Sequence, residues 1–316
     1  MSQINNKLLN VGGQAVIEGV MMKSPHFIAV AVRKPNKKIT VKIEKCSSIT
    51  QRFGFLRLPF FRGIIMLFEM LSLGIKALHF SANEAADEKD EKLSNAAIIF
   101  TIMVSLAFAL LLFVLTPYAL TTLLNIHEET NAALFNLVDG IIKLTLFLIY
   151  IVLISKMEDI RRVFQYHGAE HKAVNCYEAK KKLTVKNAQS FTTLNARCGT
   201  SFILFVILIG VVVFSFIPIA VNSLFPSFAA LGFIAKKSIL FGVRLIFILP
   251  LAGISYEILK LSAYYQKNFL FRLISLPGLA VQKLTTREPN DEQVEVALAA
   301  MEAVLKKELS TYSKAY

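Results

Sequence analysis

The chain has 316 residues, 55% of them hydrophobic, with 35 Lys and Arg against 22 Asp and Glu. A mean hydropathy of +0.55 is too high for an ordinary soluble domain of this length, and the formal charge of +13 has to sit outside the apolar stretches. The basic residues flank apolar runs and form no stripe interleaved with stacking aromatics, so nucleic acid is excluded as a partner; the three cysteines, Cys46, Cys176 and Cys198, fit neither a disulfide framework nor a CxxC motif.

The opening residues MSQINNKLLNVGGQ lack the apolar core of a secretory signal, which leaves membrane insertion to internal spans. Residues 1–55 read as a small cytoplasmic β unit. Phe27–Arg33 and the alternating Ile39, Val41 and Ile43 form a hairpin across Pro35-Asn36-Lys37, and Gln14–Met22 is a further strand against it. Residues 56–94 hold an amphipathic helix and a polar connector. In Leu56–Ala82 the residues Arg62, Glu69, Ser72, Lys76, His79 and Asn83 make a polar stripe, suited to a helix lying on the inner leaflet or packed against the spans. Asn83–Ser94 is the connector.

Four segments are long enough to cross the hydrocarbon core: Asn95–Leu124 and Ala133–Ser155 within 95–155, then Ser201–Phe225 and Ser238–Leu259 within 201–259. Lys and Arg number 14 in residues 1–94, none in 125–132, 9 in 156–200, 2 in 225–237 and 8 after 259. That asymmetry puts both termini and the 156–200 loop on the cytoplasmic side of a bacterial inner membrane. The fold class expected is therefore a mainly α, polytopic membrane protein. In the cytoplasmic segment 260–316, Pro277-Gly278 signals a turn, and Asn290 with Gln293 is a capping box opening an amphipathic helix through Leu309. Its apolar face, Val294, Ala297, Leu298, Met301, Val304 and Leu305, packs on the cytoplasmic domain or on a partner.

The chemistry concentrates in the 156–200 loop, in Phe164-Gln165-Tyr166-His167-Gly168-Ala169-Glu170-His171. On a helix His171 lies about 40° from His167 and Glu170 about 60° to the other side, so two imidazoles and a carboxylate share one face. Such a face binds a divalent metal, zinc being the natural choice, with Glu170 as the general base, and the order H-x-x-E-H is that of the inverse zincins. The bland alternative is a surface helix whose histidines bond to neighbouring backbone. A third ligand is expected from Cys198, at the mouth of the third span, or from Glu257, at the inner end of the fourth. Cys176 projects about 140° away and reads as a small buried hydrophobe. Glu18 is a lone carboxylate in an apolar run, read as the outward residue of a half-buried strand. Asp139 and Arg244 lie inside spans, where they are expected to pair with each other. Arg161-Arg162 and Lys180-Lys181-Lys182 read as anchors for anionic lipid.

Four runs, Gly12–Met22, Tyr166–Lys172, Ala196–Phe202 and Leu284–Pro289, resemble those of the YqhQ-like family of uncharacterised bacterial membrane proteins, sometimes described as predicted metal-dependent enzymes. Lys23-Ser24-Pro25 departs from the more basic, glycine-containing version familiar there. The resemblance implies a functional site at His167, Glu170 and His171 and supplies no substrate. Two functions compete: a metal-dependent hydrolase at the membrane interface, or a non-catalytic scaffold. The scaffold would dock a membrane-protein partner, such as the secretion or insertion machinery, through the β unit or the C-terminal helix. A transporter fits less well, since the spans show no internal repeat.

Overall fold

The structure, a computed structural model, describes residues 8–51, 53–86, 94–128 and 130–312. Residues 1–7 of the opening segment and 87–93 of the expected connector lie outside them. Strands β1 (Gly12–Val16), β2 (Gly19–Lys23), β3 (Phe27–Arg33) and β4 (Ile39–Lys45) form an antiparallel meander in chain order. The run Gln14–Met22 is two strands, not one: Val16 pairs with Gly19 and the chain reverses at Ile17-Glu18. Glu18 takes φ 50°, a left-handed conformation that a non-glycine residue adopts at a cost of about 1–2 kcal/mol. Its side chain holds it there, each carboxylate oxygen accepting from an Arg162 nitrogen at 2.5 Å and one also from the Tyr166 hydroxyl at 3.3 Å. Glu18 is thus a turn residue tied to the next domain element, and Arg162 is committed to it.

The sheet is covered on both faces, which is why β2 and β3 are apolar on both sides. One face, with Val20, Met22, Phe27, Ala29 and Ala31, packs on helices α5 (Glu158–Glu178) and α10 (Asp291–Tyr312). The other, with Val16, Met21, Val30 and Val32, packs on Ala77 of α1 (Phe61–Ala85). The capping box that opens α10 is reciprocal: Gln293 N donates to Asn290 Oδ1 at 2.9 Å and Asn290 N to Gln293 Oε1 at 3.0 Å. Its apolar residues Val294, Ala297, Leu298, Met301 and Val304 are buried in the chain's own core. Among them lies Glu308, fully buried, accepting from Ser24 Oγ at 2.7 Å and from His26 N at 3.1 Å.

Among the described residues, five helices are long and apolar enough to cross a membrane: α1, the rod of α2 (Asn95–Leu110) and α3 (Thr116–Leu123) joined by a π-helical turn at Leu111–Leu115, α4 (Ala132–Ile154), α7 (Gly199–Leu224) and α8 (Phe233–Tyr264). The sequence reading counted four and left α1 out for its polar stripe. That stripe is engaged: Arg62 grips Glu257 of α8, Glu69 accepts from Ser48 Oγ and Ile49 N, and His79 bonds Asn83. Pro277-Gly278 is no turn but lies inside α9 (Phe269–Thr285). The helix continues through it because α9 packs on α7 there: a Cβ on Gly278 would stand 2.4 Å from Ser201 Oγ, so glycine allows the close approach.

Candidate metal centre

Helix α5 begins with Glu158 and Asp159, which suit its positive N-terminal end, and from Tyr166 onward is buried on most of its circumference. Gly168 is what lets the chain after α9 cross it. A Cβ there would lie 2.1 Å from the Arg287 carbonyl oxygen, and Arg287 N donates to the Phe164 carbonyl at 2.9 Å. The loop between α6 (Val185–Gln189) and α7 is held to the same place by Gln282 of α9. Wholly buried, Gln282 accepts from Asn195 N at 2.9 Å and donates to Asn195 O at 2.8 Å and Ser201 Oγ at 3.0 Å. Lys172, also buried, donates to Gln189 O and pairs with Glu288 at 2.9 Å. Three runs far apart in sequence, around residues 167–172, 193–201 and 282–288, therefore meet.

At their junction one ligand atom each from His167, His171 and Cys198 lies within 4.8 Å of the others. His167 Nδ1 faces Thr285 O at 2.9 Å and His171 Nδ1 faces Thr193 O at 2.5 Å. A carbonyl only accepts, so both Nδ1 atoms carry the proton and both Nε2 lone pairs are left for the centre. This is the outer support that metal-ligating histidines use. Cys198 caps α7, its Sγ accepting from Thr200 N and lying 3.3 Å from His167 Nε2. Two imidazoles and a thiol suit zinc, and three protein ligands leave a fourth position open. Glu170 Oε2 is 3.4 Å from His171 Nε2 and buried with it. Burial works against a charge on His171, but the Glu170 carboxylate and Cys198 outweigh it and push its pKa up.

The structure brings together His167, Glu170, His171 and Cys198, and not Glu257. That carboxylate is taken by Arg62, with Phe60 N also donating to it at 3.3 Å, because α1 rather than α5 abuts this part of α8. Cys176 is buried elsewhere, its Sγ near Lys182 O. Asp139 and Arg244 do not pair with each other: Asp139 takes Lys143 one turn along α4 at 2.6 Å, while Arg244 reaches Glu128 at 2.6 Å and Asn136 at 3.1 Å. Sequence reasoning missed the roles of Gln282, Thr193 and Thr285. The last two act through backbone carbonyls, which leave no residue-type signal.

Among the described residues, five helices apolar enough to cross a membrane are compatible with a multi-pass membrane protein, and a His-His-Cys cluster gives it side chains that could hold a metal ion. It belongs to the family described as "Protein of unknown function (DUF1385)", whose family pattern matches residues 58–307. It is similar to the "Uncharacterized protein YqhQ" of Bacillus subtilis (strain 168), 34% identical, over 94% of this chain and 92% of that protein. No solved structure matches it.

Proposed function

We propose that this protein spans the bacterial inner membrane four times and holds one zinc ion at its cytoplasmic face through His167, His171 and Cys198, as a metal-dependent hydrolase with Glu170 as general base. The carrying observation is the convergence of two Nε2 atoms and one Sγ, with both Nδ1 atoms tied to carbonyls. Zinc supplies Lewis acidity in such a donor set. The chain's own part is to orient the two imidazoles through Thr193 and Thr285 and to keep a carboxylate, Glu170, beside the open position to accept a proton.

Packing supports four crossings. The sheet, α5 and α10 form one unit and lie on one side, so the chain crosses an even number of times between β4 and α5 and again between α6 and α10. Of α1, the α2–α3 rod and α4, α1 is the least apolar, and its Ala77 packs on the sheet. It is the helix to leave at the interface. The Lys and Arg distribution then assigns the packed unit to the cytoplasm.

Metal analysis of the purified protein tests the reading: about one zinc per wild-type chain, and little in His167→Ala or His171→Ala. Equal, negligible zinc in all three ends it. A second reading has its own observation, since the cluster ties the loop before α7 and the segment after α9 to α5. Zinc there would be a structural clasp in a scaffold. The apolar face of α10 is used up by its own sheet, so a protein partner would dock on the exposed edge strand β4 of the β unit instead. Glu170→Gln separates the two: metal kept with in vivo function lost favours the enzyme, and metal kept with function intact favours the scaffold.

A further inference from the structure

Between the first half of α4, the middle of α7, the first half of α8 and the α2–α3 rod lies a cavity of about 530 Å³. That volume is within the range of small-molecule sites. Its wall contains ionisable groups inside otherwise apolar helices, Asp139, Lys143 and Arg244, a placement that is expensive in a bilayer unless the groups are paired or serve a ligand. They are only partly paired. Lys143 holds Asp139 and Arg244 holds the buried Glu128, but the buried Nε of Arg244 has no hydrogen-bond partner among the described residues. Among the described wall residues three cations, Lys143, Lys237 and Arg244, stand against two carboxylates, Glu128 and Asp139.

The remainder of the wall is mostly apolar and includes Phe113 and Val114 of the π-helical turn. Such turns recur at functional sites, where the extra residue reshapes one helical face. An apolar chamber whose described wall residues carry one more cation than carboxylates matches one ligand chemistry. We infer that this cavity binds an acidic amphiphile, an acyl chain carrying a phosphate or carboxylate head. The head is taken by Arg244 and Lys143, and the chain lies along Phe113 and Val114. The inference is independent of the metal centre, with which it shares no residue.

The test uses the full chain extracted in mild detergent, its retained lipid identified by mass spectrometry, then reconstituted into phosphatidylcholine vesicles doped with phosphatidylglycerol or with oleate. About one acidic lipid per chain is expected, preferred over phosphatidylcholine by at least about ten-fold. The phosphatidylglycerol and oleate arms tell a phosphate head from a carboxylate. Retention is expected to fall about ten-fold in the double variant Arg244→Met with Glu128→Gln, which removes both members of the 2.6 Å ion pair. Val114→Phe fills the chamber without touching a charge and should do the same, so it decides the matter if the double variant does not fold. Equal retention of phosphatidylcholine, no retained acidic lipid in the wild type, or unchanged retention in the folded variants overturns the inference.

Discussion

The two polar clusters of this molecule keep charge-bearing groups beside apolar helices by opposite means. At one end, His167, His171 and Cys198 bring one ligand atom each to within 4.8 Å of the others, with the Glu170 carboxylate beside His171. At the other, Asp139 with Lys143 and Glu128 with Arg244 neutralise each other directly. The first arrangement could hold a metal ion; the second is nearly complete in the chain itself. The difference separates a cluster able to hold an ion from one built around ion pairs, and it sets what each should lose on mutation.

The largest expected effect is at the His-Cys end. Cys198→Ala or His171→Ala should reduce bound zinc from about one per chain to near zero, since two ligands cannot hold a tetrahedral ion tightly. Removing the metal from wild type should lower its thermal midpoint, because a ligand at about a hundred times its Kd contributes about 2.7 kcal/mol. A midpoint unmoved by chelator would break the contrast between the clusters. At the other end Arg244→Met alone removes the guanidinium 2.6 Å from the buried Glu128 carboxylate, leaving Lys237 at 3.7 Å, and should cost up to about 3–5 kcal/mol in detergent, most of it recovered by adding Glu128→Gln. No recovery would mean that Arg244 acts through packing instead.

Smaller effects sharpen the picture. Gly168→Ala pushes a methyl against the Arg287 carbonyl and should cost about 1–3 kcal/mol. By shifting Thr285 it should also weaken zinc about ten-fold, read by competition with a chelator. Glu308 offers a pH test. Burial pushes its pKa up, but Ser24 and His26 outweigh that and hold it below the usual 4.5. The unfolded chain thus binds the proton more readily. This contribution is present above pH 4.5 and is lost as pH falls through the lower folded value. In Glu308→Gln that part of the acid limb of thermal stability should vanish. Least of all, Arg33→Gln breaks a pair with the exposed Glu295 and should change stability by under about 1 kcal/mol.

Much of this was legible in the chain. The β3–β4 hairpin, the capping box at Asn290 and four of the five long apolar helices follow from period and end signals. So does the pairing of His167 with His171, which a spacing of four places one above the other on any helix. Cys198 was reachable by topology, as a residue at the mouth of a span, at the same end as the histidine helix. Glu257 was placed by the same reasoning and turned out to serve Arg62, because depth along a helix says nothing about which neighbour faces it. The reversal at Glu18 was hidden for a related reason: a left-handed turn residue normally announces itself as glycine or asparagine, and here an ion pair with Arg162 does that work.

By itself the sequence determined what is local: where apolar length suffices for a membrane, which residues share a helix face, and which loops carry the positive charge. Those follow from helix geometry and hydropathy, which a single segment possesses on its own. Only the tertiary structure decided that Cys198 and not Glu257 joins the histidines, that backbone carbonyls of Thr193 and Thr285 orient them, and that Arg244 answers Glu128 instead of Asp139. Each of those depends on which elements pack together, a property of distances between residues that no segment carries alone.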